Sequence, residues 1–345
     1  MLLKFRPITL ELKDTFTISN FSRQSTPAVL TKITFEGITG YGEASLPPYL
    51  GESHESVVAF LSKLDFSQFN NPCDISSIME YVDSVDSNNN AAKTSIDIAL
   101  HDLAGKIQNK PVYEMMGLAQ PKNLFTSITF GIDDLKNIQE KVKNYESFKI
   151  LKIKLGSHYD KEIINSIRAV TDKPIYVDVN RGWKDKIFAC EMIDWLAKRG
   201  VVLIEQPMPI NMMEETAYLS ERSRIPIIAD EAVKRLSDLE KVQGIYSGIN
   251  IKLMKSTGLL EGLRMCNKAK SLGLKIMIGC MTETSCGISA AAQLTQFADY
   301  IDLDGNLLIK NDPFIGIKAN NGEIKLNYKP GIGVEENNSE LLNFD

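Results

Sequence analysis

Residues 149–156 read KILKIKLG. Side chains alternate across a strand, so Lys152 and Lys154 share one face, while Leu151, Ile153 and Leu155 take the other. If both faces are covered, two ammonium groups enter the interior, which is costly unless neighbouring groups use them. The flanking chain predicts such cover. From about residue 124, short apolar runs alternate with helix-length segments: FTSITFG (125–131), ILKIKLG (150–156), PIYVDVN (174–180), VVLIEQP (201–207), PIIAD (226–230), INIKLM (249–254), LKIMIGC (274–280) and DYIDLDG (299–305). Eight such runs predict repeated βα units, a parallel sheet, and a closed (β/α) barrel rather than an open one.

The charges in these runs sit in register. Asp178 and Asn180 share a face, Glu205 and Asp230 end their strands, Lys252 opposes Ile251 and Leu253, and Asp302 shares a face with Asp304. Each lies at or near a strand's C-terminal end, where a parallel barrel builds its active site. Lys152 and Lys154 therefore face Asp178, Glu205 and Asp230. Three carboxylates brought together repel one another unless a cation binds them. Hard oxygen ligands suit Mg²⁺, and the lack of His or Cys argues against zinc. Singly, a strand-end Asp is an ordinary helix N-cap and a strand lysine an ordinary snorkelling residue. Jointly, on consecutive strands, they predict a functional cluster.

The remaining features set bounds. The chain has 345 residues, 43% hydrophobic and 24% charged, with net charge −5. That composition is globular and favours neither nucleic acid nor a membrane surface as partner. No secretory signal and no apolar run long enough for a transmembrane helix is read. Cys73, Cys190, Cys266, Cys280 and Cys286 form no CxxC pair and are expected as reduced thiols of a cytoplasmic protein. Cys280 is expected to line a pocket, and His54, His101 and His158 to be structural or exposed. Residues 2–12 and 28–44 read as strands, with the polar segment DTFTISNFSRQST (14–26) as a long loop between them and LPPYLGES (46–53) as a second loop. Residues 91–108 hold a 3.6 period. The tail from 311 reads as strands and turns that return to the N-terminal region.

These motifs resemble the enolase superfamily, in its muconate lactonizing enzyme subgroup. KIK resembles the KxK of the second barrel strand, and DVN, IEQP and ADE resemble the three metal-ligand strands. NIKLMKSTGL resembles the sixth strand with its opposing lysine, and GYGEA and SIDIALHDLAGKIQNKPVYEMMG resemble the capping domain. The implied fold is α/β: a (β/α)₇β modified TIM barrel, residues 121–320, under an α+β capping domain, residues 1–120, with the tail 321–345 packing back on the cap. DLD, Asp302 and Asp304, resembles the dipeptide epimerases, where the pair holds the substrate's N-terminal ammonium. Two carboxylates apart from the metal trio suit that cation.

The resemblance implies a Mg²⁺-dependent isomerase acting on a dipeptide, commonly Ala-Glu from cell-wall peptide. In the superfamily a lysine base and Mg²⁺ serve proton removal α to a carboxylate. Lys154 and Lys252 would exchange the α-proton from opposite sides, Lys152 would tune and contact the developing charge, and Asp178, Glu205 and Asp230 would hold Mg²⁺. Asn180 and Glu231 would support them, and Thr129 and Thr282 match substrate-contacting positions. Ungapped alignment from Phe16 to Val29 puts Phe21 where Ala-Glu enzymes carry an arginine. Arg23 lies two residues on, so either a shifted loop brings it there or the pocket prefers an apolar side chain. The alternatives are an o-succinylbenzoate synthase or cycloisomerase, which needs no cation site, and a non-catalytic metal-binding barrel, which needs no opposed lysines. Homo-oligomers are frequent among such relatives, but no interface is legible in the sequence.

Overall fold

The computed structural model describes residues 1–19, 21–120, 124–317 and 319–344. Strands β1 (Leu2–Ile18), β2 (Phe21–Phe35) and β3 (Ile38–Ser45) form an antiparallel sheet. Segment 14–26 is not the expected loop. After a register slip between Glu11 and Phe16, β1 and β2 pair on to Ile18↔Phe21, making a hairpin arm. Thr15, Phe16, Thr17 and Ile18 alternate polar and apolar, the signature of a half-exposed strand, which its polar neighbours disguised. Asn20, in the turn, lies outside the described residues.

Helices α1 (His54–Leu61) and α3 (Asn90–Ile107) pack on the sheet, and α2 (Ile75–Val85) packs on α3. Contact with α3 is backbone to backbone. A Cβ on Gly40 would lie 2.1 Å from Ala99 O, and one on Gly42 1.8 Å from Ser95 O. The four-residue step from Ser95 to Ala99 is one helical turn, so alternate β3 residues meet successive turns of α3.

The barrel strands are β4 (Ile128–Phe130), β5 (Leu151–Lys154), β6 (Ile175–Asp178), β7 (Val201–Glu205), β8 (Ile227–Ala229), β9 (Gly248–Lys252), β10 (Lys275–Gly279) and β11 (Tyr300–Asp302). They lie in sequence order as one eight-stranded sheet with parallel neighbours. Ser127 N donates to Ile301 O at 3.2 Å, bringing the first and last strands together. The crossover helices are α4 (Leu135–Asn144), α5 (Asp160–Arg168), α6 (Lys186–Ala197), α7 (Met213–Arg222), the single turn α8 (Leu239–Val242), α9 (Leu253–Ser256) with α10 (Leu259–Ser271), and α11 (Ser285–Ala292). This is the modified TIM barrel, carried beside a separate N-terminal antiparallel sheet.

The tail touches the N-terminal region: Val112 N donates to Gly331 O (2.9 Å) and Ile332 N to Asp102 Oδ1 (3.0 Å). Glu323–Ile324 also pairs with Leu124–Phe125. The expected division at 120/121 abuts residues 121–123, and the tail's last residue is 345; all four lie outside the described residues. Among the described residues no helix is long and apolar enough to cross a membrane. All five cysteines are free thiols.

Candidate active site

Strands β5 to β9 bring six of the expected charges to one mouth. Lys154, Asp178 and Glu205 are register partners across β5, β6 and β7. Asp230 follows the end of β8. One oxygen from each of Asp178, Glu205 and Asp230 lies within 4.8 Å of the others, and all three residues are buried. Each carboxylate has one oxygen fixed by the scaffold and the other facing a lysine. Asp178 Oδ1 accepts from Asn180 N (2.9 Å), and its Oδ2 is 2.6 Å from Lys154 Nζ. Glu205 Oε1 accepts from Asn250 Nδ2 (2.7 Å), and its Oε2 is 2.6 Å from Lys152 Nζ. Asp230 Oδ1 accepts from Lys255 Nζ, and its Oδ2 is 2.8 Å from Lys252 Nζ. Lys154 and Lys252 therefore bracket the trio from its two ends.

Lys152 also lies 2.6 Å from Asp302 Oδ2 and 3.5 Å from Asp178 Oδ2. Asp302 thus adjoins the trio through one ammonium, not apart from it as expected. The cause is the barrel's closure, which sets β11 next to β4 and β5. Burial works against the charge on Lys152, but Asp302, Glu205 and Asp178 outweigh it and hold the amine well above the usual lysine range. Burial likewise opposes Lys252, and Asp230 above all holds it high. Asp230 is held far below the carboxylate range, its burial overcome by Lys252 and Lys255. Glu205 goes the other way, raised by burial and by Asp178.

These donors fit a hard divalent ion. Three buried carboxylates converge, and Glu205 Oε2 makes no hydrogen bond, its contact with Lys152 being an ion pair of unsuitable angle. A buried acceptor left so is costly unless a cation takes it.

A cavity open to solvent is lined by Lys152, Lys154 and Lys252 together with Asp302 and Asp304. Asp302 and Asp304 form one wall. Asp302 Oδ1 accepts from Ser127 Oγ (2.8 Å) and Thr129 Oγ1 (3.4 Å), and Asp304 Oδ2 accepts from Thr129 N (2.6 Å). Burial, with Asp302 beside it, pushes Asp304 up to about 7. The hairpin arm supplies another wall through Phe16, Ile18, Phe21 and Arg23. Arg23 lines the cavity and donates from Nη2 to Thr282 Oγ1 (2.8 Å), with Phe16 and Phe21 each 5.7 Å from the guanidinium carbon. Its Nε and Nη1 are buried and make no hydrogen bond. Cys280 lines the cavity too, its thiol pushed well up by burial and by Asp304. Glu231 makes no hydrogen bond to the trio; it pairs with Arg181 at 3.1 Å.

Residues 135–340 match the family described as Enolase C-terminal domain-like, and residues 6–117 match the Mandelate racemase / muconate lactonizing enzyme, N-terminal domain. The chain belongs to the enolase superfamily. This superfamily member is 50% identical over 328 residues to the L-Ala-D/L-Glu epimerase of Bacteroides thetaiotaomicron, covering 95% of this chain and 86% of that one. It is similar, at TM-score 0.92 and 27% identity, to a dipeptide epimerase from Cytophaga hutchinsonii complexed with Mg and D-Ala-L-Val, covering 99% and 96% of the two chains. The N-succinyl Arg/Lys racemase from Bacillus cereus ATCC 14579 is similar at TM-score 0.92 and 28% identity, with the same coverage.

Three residues of this superfamily site were not singled out from sequence. Asn250 shares the face of Lys252, two residues along β9, a signal that alternation carried. Lys255 lies one turn on, in α9, and also donates to Asp230 O (2.7 Å) and Asn250 O (3.0 Å). Tyr49, from the second cap loop, lines the cavity with its hydroxyl on Met281 Sδ. Nothing local in LPPYLGES marks it.

Proposed function

We propose that this protein is a Mg²⁺-dependent dipeptide epimerase that inverts the α-carbon of the C-terminal residue, with L-Ala-L/D-Glu as its best substrate. The observation that carries it is the pair of amines, Lys154 and Lys252, bracketing three carboxylates beside a second acidic pair. Asp178, Glu205 and Asp230 would hold Mg²⁺. When bound, that ion supplies positive charge that makes the proton α to a carboxylate more acidic. Asp302 and Asp304 receive the dipeptide's ammonium, with Thr129 fixing both. With the charge of the carboxylates offset by Mg²⁺, Lys154 or Lys252, as the neutral amine, would take the α-proton from one face, and the other, as ammonium, would return a proton to the opposite face. Lys152, held between Glu205 and Asp302, faces the negative charge that develops. Asn180 fixes Asp178, and Glu231 with Arg181 supports the neighbouring loop.

Arg23 supports a glutamate side chain in this substrate. Its two unpartnered donors, Nε and Nη1, lie on different edges of the guanidinium, and either offers a carboxylate a charge-assisted hydrogen bond. Phe21, at the aligned position, packs beneath the guanidinium instead of replacing it. The 50% identical epimerase named for Ala-Glu points the same way. In this scheme residues 1–120 cap the barrel 121–320, the tail 321–345 packs on the cap, and the substrate is a cell-wall dipeptide met in the cytoplasm. An N-acylated amino acid or a cycloisomerase substrate brings no ammonium to Asp302 and Asp304.

Incubation with Mg²⁺ in D₂O tests this. Dipeptides, N-succinyl amino acids and muconate are supplied separately, and deuterium is followed by mass spectrometry. Deuterium at the α-carbon of L-Ala-L-Glu with appearance of L-Ala-D-Glu is expected. Lys154→Ala and Lys252→Ala should each abolish inversion. Exchange confined to N-succinyl substrates, or normal turnover in either variant, would refute the two-base dipeptide site.

A further inference from the structure

The turn 280–284 joins β10 to α11 and lines the cavity through Cys280, Met281 and Thr282. It is held from the cap rather than from the barrel alone. Glu43, on β3, is fully buried and accepts from the start of α11: from Thr284 N (2.9 and 3.1 Å), Thr284 Oγ1 (2.5 Å) and Gly287 N (3.1 Å). A carboxylate at a helix N-terminus is favoured by both the free N–H groups and the helix dipole. Here that carboxylate comes from another sheet, so the cap itself is pinned to the helix. Two residues on, Ser45 Oγ donates to Thr282 O at 2.6 Å. Thr282 then accepts Arg23 Nη2 at 2.8 Å. A continuous chain of contacts runs from β3 through the turn to the guanidinium.

We propose that Glu43 is a positioning residue for Arg23, acting through the turn 280–284, and so sets the preference for an acidic C-terminal side chain. This rests on the assignment of Arg23 to the side-chain carboxylate. Thr282 is then occupied in holding Arg23 Nη2, while Nε and Nη1 keep no protein partner. Glu43→Gln keeps the shape but sets an NH₂ against N–H donors, so the start of α11 shifts. A small displacement of a positioned group is enough to lose a large part of its effect.

The test is the ratio of kcat/KM for L-Ala-L-Glu to that for L-Ala-L-Leu. Arg23→Leu should collapse the ratio by about 100-fold, the worth of a charged hydrogen-bonded pair. Glu43→Gln and Thr282→Val should each lower it by about tenfold, through KM for Ala-Glu, and Glu43→Gln should leave kcat on Ala-Leu within about twofold. In an Arg23→Leu background Glu43→Gln should change the ratio no further. Thr282→Val reaches the same chain from the barrel side, so a misfolded Glu43 variant leaves the question answerable. A wild-type ratio in both folded variants, or equal kcat losses on both substrates, overturns the positioning role while Arg23 keeps its own. An unchanged ratio in Arg23→Leu overturns the Arg23 assignment and the proposal with it.

Discussion

Glu283 is the most exacting single residue outside the proposed chemistry. One of its oxygens accepts Met281 N at 2.7 Å; the other is buried with no hydrogen bond. Burial, with Glu43 nearby, pushes this carboxyl up to about 8, and burial brings Glu43 up to about 7. An unfolded glutamate titrates near ~4.3. Between these values the folded chain holds protons that the unfolded chain has released, so stability falls as pH rises. The contribution of Glu283 is complete below about 4.3 and is lost as pH passes about 8. Glu283→Gln keeps the Met281 contact and cannot ionise. Melting temperatures from pH 5 to 9 should therefore decline less steeply in the variant, with the gap widest above pH 7. Parallel curves would mean that Glu283 is ionised throughout. At this scale the sequence showed eight charged residues at or near strand ends because strand alternation assigns faces. It did not show Glu43 or Lys255, whose partners lie across the cap–barrel junction or at the end of another strand. Such partners are set by packing, which no local pattern encodes.

Elements were legible where a period survived. Helix α3 and the barrel strands follow from 3.6-residue and two-residue spacing of apolar side chains, though α3 is buried on every face from Ala91 to Gly105, beyond the one face that spacing marks. The hairpin arm escaped because one of its faces is solvent and the other is the cavity, so its apolar count is low. That arm carries Phe16, Phe21 and Arg23, which line the cavity. GYGEA has a second meaning at this scale: its glycines are contact surfaces for α3. Gly42→Ala would drive a methyl against Ser95 O, on a helix packed so tightly that it has no room to retreat. A loss of about 3 kcal/mol is expected, at the upper end for overpacking. Urea denaturation measures it; a variant within 1 kcal/mol of wild type would mean that the sheet slides along α3 at little cost.

The whole molecule divides the work between two layers. The barrel provides the acidic trio and both bracketing lysines, while the cap arm provides Arg23 and, through Glu43, its setting. Asp178, Glu205 and Asp230 come from three strands separated by full crossovers, so an unfolded chain does not gather them. A divalent ion that binds only the folded form must stabilise it by mass action, by about 2.7 kcal/mol at one hundred times its dissociation constant. Saturating Mg²⁺ should raise the melting temperature, EDTA should reverse the rise, and Glu205→Gln should abolish it. Arg23→Leu should leave the Mg²⁺ dependence of melting unchanged while altering which dipeptide is turned over, because the arginine reaches the trio only across the cavity. If Arg23→Leu instead moved the Mg²⁺ midpoint several-fold, the two layers would be coupled through the ion, and selectivity would have to be sought in the barrel as much as in the cap.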